Sequence, residues 1–188
     1  MCKVILDSSS PNCIYKLSTE LSKYLKPALK SKRQIIFLCI GTDRSTGDAL
    51  GPLVGDKLKF LSNNNITVIG NLQSPVHAMN ITHILNFINL NYTNPYIVAI
   101  DASLGSHSSI GYIIIEDKAI MPGAALDKKI ASVGDISIKA VVNVCGNLEF
   151  MVLQSTRLFT VMELADSIAC GIYNSVAKIY PFKKFNFQ

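Results

Sequence analysis

Two carboxylates, each following an apolar β-prone run, carry the chemistry that this sequence offers. Asp48 stands in Cys39-Ile-Gly-Thr-Asp-Arg-Ser-Thr-Gly-Asp-Ala-Leu-Gly-Pro52, and Asp101 in Ile97-Val-Ala-Ile-Asp-Ala-Ser-Leu-Gly105. In an open α/β sheet the loops at the carboxyl ends of the strands form the ligand crevice, so acids far apart in sequence can meet over one substrate. Two carboxylates held close resist double ionisation and share a proton. The ionised member can then activate water while the protonated one donates to a carbonyl or a leaving amine. No Gly-x-Ser-x-Gly accompanies them, so a serine nucleophile is not expected.

Other residues are candidates for holding a substrate. Asp43, with Arg44 beside it, competes with Asp48 as the acid of the first loop. Ser45, Thr46 and Ser103 could orient water or hydrogen-bond a peptide backbone. His77 opens a helix and His107 lies in the loop after Asp101, so either could approach the rim, whereas His83 falls mid-helix. Asp135, in Val133-Gly-Asp-Ile-Ser-Ile138, is either a turn acid or one that closes the site opposite the pair. Asn143 and Asn147 flank a strand end and fit substrate contact or capping equally, with Glu149 a weaker candidate. The amides of residues 41–47 and the helix start at Ala49 are candidate oxyanion donors. Plainer roles exist for the pair itself: a helix cap or first-turn acid for Asp48, and an acceptor of turn amides for Asp101. The first loop lacks the Gly-Lys-Ser/Thr of a phosphate loop and the Gly-x-Gly-x-x-Gly of a dinucleotide fold, and its two acids would repel phosphate.

The elements that must position these residues alternate along the chain. Residues 11–30 read as a helix with Ser10 as cap, Pro11 in the first turn and Pro27 kinking or ending it. Residues 34–40 form a continuous apolar run, as in a strand buried on both faces. Helical spacing follows over 49–61, then a strand over 66–70, a helix over 77–89, and strands over 96–100 and 110–116. A stretch rich in Gly, Ala and Asp covers 121–137, before a strand over 139–145 and a long helix over 156–179. The pattern predicts a mostly parallel α/β sheet covered on both faces, with one antiparallel neighbour after the strand that carries Asp101. The division expected is an N-terminal helical extension over 1–32 and a single α/β/α domain over 33–188.

Composition excludes several classes. The chain has 188 residues, 49% hydrophobic and 16% charged, which suits a globular core and argues against disorder. The formal charge of +5 comes largely from lysines near the two ends, without the aromatic interleaving of a nucleic-acid site. Five dispersed cysteines without Cys-x-x-Cys do not suggest a disulfide framework or a structural zinc. No apolar run approaches the roughly 18 residues of a membrane span, and the first residues are too short for a secretory signal, so a cytoplasmic location is expected.

Several motifs together resemble one family. They are Gly41-Thr-Asp-Arg-Ser-Thr-Gly-Asp-Ala-Leu-Gly-Pro-Leu-Val-Gly55, Asp101-Ala-Ser-Leu-Gly105, Pro122-Gly-Ala, Val133-Gly-Asp-Ile-Ser-Ile138, Val142-Asn-Val-Cys-Gly and Leu153-Gln-Ser-Thr-Arg-Leu158. In this order they look like the YyaC family of bacterial sporulation proteins, related to the spore germination protease and to hydrogenase-maturation endopeptidases. The resemblance implies a three-layer α/β/α, phosphorylase/hydrolase-like fold with a mixed five-stranded sheet. It aligns Asp48 with the proposed catalytic aspartate of germination protease and Asp101 with a second conserved-fold acid. It implies an aspartate-dependent endopeptidase acting on a protein or peptide substrate, with small acid-soluble spore proteins the first to test, in the cytoplasm of a sporulating cell or the spore interior. The alternative is a non-catalytic sporulation factor that binds a peptide or protein partner in the same crevice. In the hydrogenase-maturation enzymes the same two positions hold nickel ligands together with a histidine; residues 121–137 contain no histidine. No cofactor is therefore expected, and a divalent transition metal, if held, would fall to Asp48 and Asp101.

Overall fold

The structure is a computed structural model and describes residues 3–63, 65–120 and 132–180. The strand Ile35–Cys39 shows how the layers arise, because every residue in it is buried. Ile35, Phe37 and Cys39 point into one apolar core, and Ile36, Leu38 and Ile40 into a second one on the other face. Alternation along one apolar strand thus demands cover on both sides.

Six strands form the sheet: β1 (Lys3–Asp7), β2 (Ile35–Cys39), β3 (Ile66–Ile69), β4 (Tyr96–Gly105), β5 (Tyr112–Glu116) and β6 (Ile136–Val144), in the order β1-β5-β6-β4-β2-β3. The helices α1 (Cys13–Lys30), α2 (Leu50–Leu58) and α5 (Leu158–Ile179) cover the first face. The helix α3 (Ile81–Asn91) covers the second over β2, and the short α4 (Glu149–Gln154) lies past the end of β6. β2, β3, β4 and β6 pair in parallel, and β5 runs against both its neighbours. The architecture is the expected three-layer α/β/α with a mostly parallel sheet.

Four details differ from the sequence reading. The sheet has a sixth strand, β1, which pairs with β5 along its whole length. β5 does not sit beside β4: β6 lies between them and pairs with β4 in parallel, leaving its other edge for β5. Helix α1 starts at Cys13 with Asn12 as its cap residue, so Ser10 and Pro11 lie outside, and it runs through Pro27 to Lys30. Burial of Leu25 and Ala28 on the sheet holds that last turn in place. Residues 121–131, and with them the Pro122-Gly-Ala motif, lie outside the described residues.

The first 32 residues are not an appendage to a separate domain. Leu17, Leu21 and Leu25 of α1 are fully buried in the core shared with Val161, Leu164 and Ile168 of α5. Gly171 of α5 lies so close to Leu17 that a Cβ there would come within 2.4 Å of its Cδ2. We therefore expect Leu21→Ala to cost about 2–5 kcal/mol of unfolding free energy, the range for emptying a buried leucine site. Denaturant unfolding of the full chain checks this; a loss well under 1 kcal/mol would mean that α1 is peripheral (roughly the range of surface substitutions).

Candidate active site

At the carboxyl ends of β2 and β4 a single cleft of about 1200 Å³ opens, and both Asp48 and Asp101 line it. Asp48 belongs to a 3-10 turn, Gly47–Ala49, that leads directly into α2. Its place is set by backbone contact. Gly41, at φ 144°, has the main-chain oxygen of Asp48 where a Cβ would be, 2.0 Å away. A Cβ on Gly51 would fall 1.9 Å from the oxygen of Ile40, and one on Gly55 1.7 Å from that of Gly70. Only glycine permits such approaches, so the glycines of this motif press the start of α2 against the strand ends. Thr42 N–H donates to the Asp48 carbonyl at 3.2 Å and closes the loop.

Asp101 is placed by the sheet itself. Its neighbours Ile100 and Ala102 face the helix-covered core, so Asp101 and Ser103 project from the opposite face, as Ala99 does below them. Asp101 accepts a 2.9 Å hydrogen bond from the Ala102 N–H. It lies level with Lys139 on β6. Lys139 in turn makes a 2.5 Å ion pair with Glu116 of β5, whose other oxygen is 3.4 Å from Lys3. Lys139 holds the Glu116 carboxyl below the usual range. A charged row therefore crosses the open face of the sheet from Asp101 to β1.

The two aspartates have unequal protonation. Burial raises Asp48 above its ordinary value. Burial, then the charge of Asp48, push Asp101 up to about 8, against the smaller lowering effects of the Ala102 N–H and Lys139. Asp101 is the member pushed above neutral, so it keeps its proton at pH 7. Asp48 is the first-turn acid of the plainer reading and not a cap residue, since Thr46 precedes the turn and Ala49 precedes α2 in those places.

The other candidates divide. Asp43, His77 and Ser103 line the cleft with the pair. Asp43 is exposed, and His77 Nδ1 accepts from the Met79 N–H at 3.2 Å within the turn before α3. Ser103 Oγ is buried without a hydrogen-bond partner among the described residues. Ser45 and Thr46 are absent from the lining; Ser45 is 3% exposed, tucked under the loop. His107, exposed in the turn His107–Ser109, does not line the cleft either. Asp135 is at the other end of the sheet: it pairs with Arg33 at 2.7 Å and accepts from the Ile97 N–H at 2.8 Å, locking the start of β4. Asn143 donates to Val152 O and Thr156 Oγ1, which ties α4 to β6 rather than facing a substrate. The Gly41 N–H donates to Val76 O, and the amides of Thr42, Arg44 and Ala49 are engaged inside the loop, so these four do not serve as oxyanion donors.

Sequence reasoning missed Lys139 and Glu116, which line the cleft, and its walls, Leu72 and Met79 on one side and Phe150 and Leu153 on the other. The signal for Lys139 was present: a lone charge at an alternating position of an otherwise apolar strand. Among the described residues no three His, Cys, Asp or Glu side chains converge as a metal site. Asp48 and Asp101, the residues that would hold a divalent metal, have no third such ligand converging with them among the described residues.

This architecture is that of a hydrogenase-maturation-protease fold. The maturation protease HycI from Thermococcus kodakarensis KOD1 superposes with a TM-score of 0.52 at 20% identity, over 82% of this chain and 99% of that one. A hydrogenase 3 maturation protease gives a TM-score of 0.41 at 16% identity, over 73% and 87% of the two chains. The chain belongs to the family described as protein of unknown function DUF1256, whose model matches residues 5–171. The uncharacterized protein YyaC of Bacillus subtilis strain 168 is 45% identical to this chain over 157 residues, which span 84% of this chain and 76% of that protein.

The raised Asp101 pKa has a consequence for stability. The folded protein retains a proton that the unfolded chain, with a carboxyl at 3.8, releases between about pH 4 and about pH 8. Folded-state stability therefore falls as pH rises through that window. Asp101→Asn removes the penalty, so the variant should exceed the parent at pH 9 by on the order of a few kcal/mol and converge with it near pH 4. Urea unfolding across pH measures this; parallel curves for the two proteins would contradict a protonated Asp101.

Proposed function

We propose that this protein is an aspartate-dependent endopeptidase that hydrolyses a peptide bond in a protein substrate, in the sporulation setting that its motifs suggest. One observation carries the reading: Asp48 and Asp101 line one cleft, and the charge of one helps keep the proton on the other. Asp48 takes a proton from water as its oxygen attacks the carbonyl carbon, while Asp101 gives its proton to the carbonyl oxygen. The resulting diol collapses as the C–N bond breaks. Asp48 then passes its proton to the leaving amine, and Asp101 recovers one from a diol hydroxyl, so one water is consumed overall.

The expected kinetics are specific. Asp48→Asn and Asp101→Asn should each lower kcat by about 10²–10⁴-fold, the usual contribution of general acid–base catalysis, with little change in KM. The pH profile of kcat/KM should fall on the alkaline side as Asp101 loses its proton near 8. Cleavage of a small acid-soluble spore protein by the purified chain, followed by mass spectrometry, is the assay. Cleavage that survives both substitutions removes the mechanism. A partner that is captured intact through prolonged incubation instead favours a non-catalytic binding role for the same cleft.

A further inference from the structure

Strand β4 outlasts its neighbour. β2 pairs with it only as far as Cys39 opposite Ile100, and the last bond of that ladder runs from Ile40 N–H to Ile100 O at 2.7 Å. β4 continues through Gly105, paired from there on only with β6. Main-chain groups alternate sides along a strand. Ile100 O faces β2, and Gly105 O, which accepts from Cys145 N–H, faces β6. The main chains of Ala102 and Leu104 therefore turn toward the side that β2 has vacated. There, the Ala102 N–H is taken by the carboxylate of Asp101, which ends the β2 ladder. Among the described residues the Ala102 carbonyl and the Leu104 N–H have no partner on that side, and both residues line the cleft.

We propose that this overhang of β4 is a docking strand for an extended polypeptide, which adds in parallel beside Ala102–Leu104 in the place that β2 leaves. One residue of the added strand, opposite Ser103, would donate to the Ala102 carbonyl and accept from the Leu104 N–H, as a continuation of β2 would. Strand addition of this kind gives affinity through main-chain bonds, and pockets beside it read alternate side chains. The walls here are apolar and exposed: Leu72 at 38% and Met79 at 75% on one side, Phe150 at 60% on the other. They suit large apolar side chains on the peptide, while the aspartates meet its backbone. The polypeptide is thus bound by its main chain directly over Asp101. That it is also cut there rests on the endopeptidase reading.

The test uses the full chain carrying Asp48→Asn, so that bound peptides persist, and a positional-scanning library of acetylated octapeptides. The best-binding peptide is then resynthesised with single backbone N-methyl groups along its length. N-methylation should weaken binding by roughly tenfold at one residue, the donor to the Ala102 carbonyl, and hardly at the residues on either side of it, the cost of that lost main-chain bond. At saturating peptide the Leu104 amide should exchange its hydrogen at least about tenfold more slowly than in the free protein. A flat or irregular N-methyl scan, unchanged Leu104 exchange, or no binder in the library overturns the proposal. Cleavage by the parent protein with a flat scan would remove the docking strand and leave the endopeptidase standing. A scan with that one sensitive residue, without cleavage, would do the reverse.

Discussion

Main-chain contact between the start of α2 and the ends of β2 and β3 is the constraint on which the rest depends. At Gly41, Gly51, Gly55 and Gly70 there is no room for a side chain, because another residue's carbonyl oxygen occupies the place of the Cβ. Any larger residue there would push the helix away from the sheet and carry Asp48 with it. Overpacking of this sort costs about 1–3 kcal/mol where neighbours can yield, and backbone neighbours yield least. The spacing of the glycines is therefore a statement about how near Asp48 can be brought to the sheet. It has little to do with loop flexibility.

That constraint explains why the first half of the site was legible in the sequence and the second only in part. The run Gly47-Asp-Ala-Leu-Gly-Pro52 marks both the turn and the acid, since its Gly51 is there for a contact with Ile40 O that no other residue allows. Asp101 could be recognised as following an apolar run, but not that the strand goes on for four residues beyond it. Nothing in Ala102-Ser-Leu-Gly105 distinguishes a strand from a turn until β6 is known to pair with it. Asp135 and Asn143 misled for a related reason. Both are polar residues near strand ends, yet strand direction decides which rim each joins, and local contacts then claim them: Arg33 for Asp135, α4 for Asn143. The strand β1 was missed because five residues with only Leu6 buried give little periodic signal, and pairing with β5 supplies the rest.

The open half of the sheet's second face gives the site its character. Where α3 covers β2 the side chains are isoleucine and leucine; beyond it, β4, β6 and β5 present Asp101, Lys139 and Glu116 instead. Charges on a sheet face are tolerated when they pair, and here Lys139 is committed to Glu116 at 2.5 Å. The commitment matters for Asp101. A lysine free to pair with it would hold it ionised, whereas one already neutralised by a second acid lowers its pKa only slightly against the effects of burial and Asp48.

The inequality of the two aspartates follows from where each stands in the secondary structure. An acid on a loop tip is solvated and ionises readily. Asp101 stands instead within a strand, on the floor of the cleft, where the desolvation that raises its pKa cannot be escaped by rotation of a loop. The extension of β4 past β2 that puts it there also leaves the Ala102 carbonyl and the Leu104 N–H without sheet partners on that side. One structural fact, a strand longer than its neighbour, thus creates a carboxyl that keeps its proton and an open edge beside it. A peptide carbonyl lying along that edge would meet its proton donor without any rearrangement of the sheet, which is the preorganisation that acid–base catalysis on an amide requires.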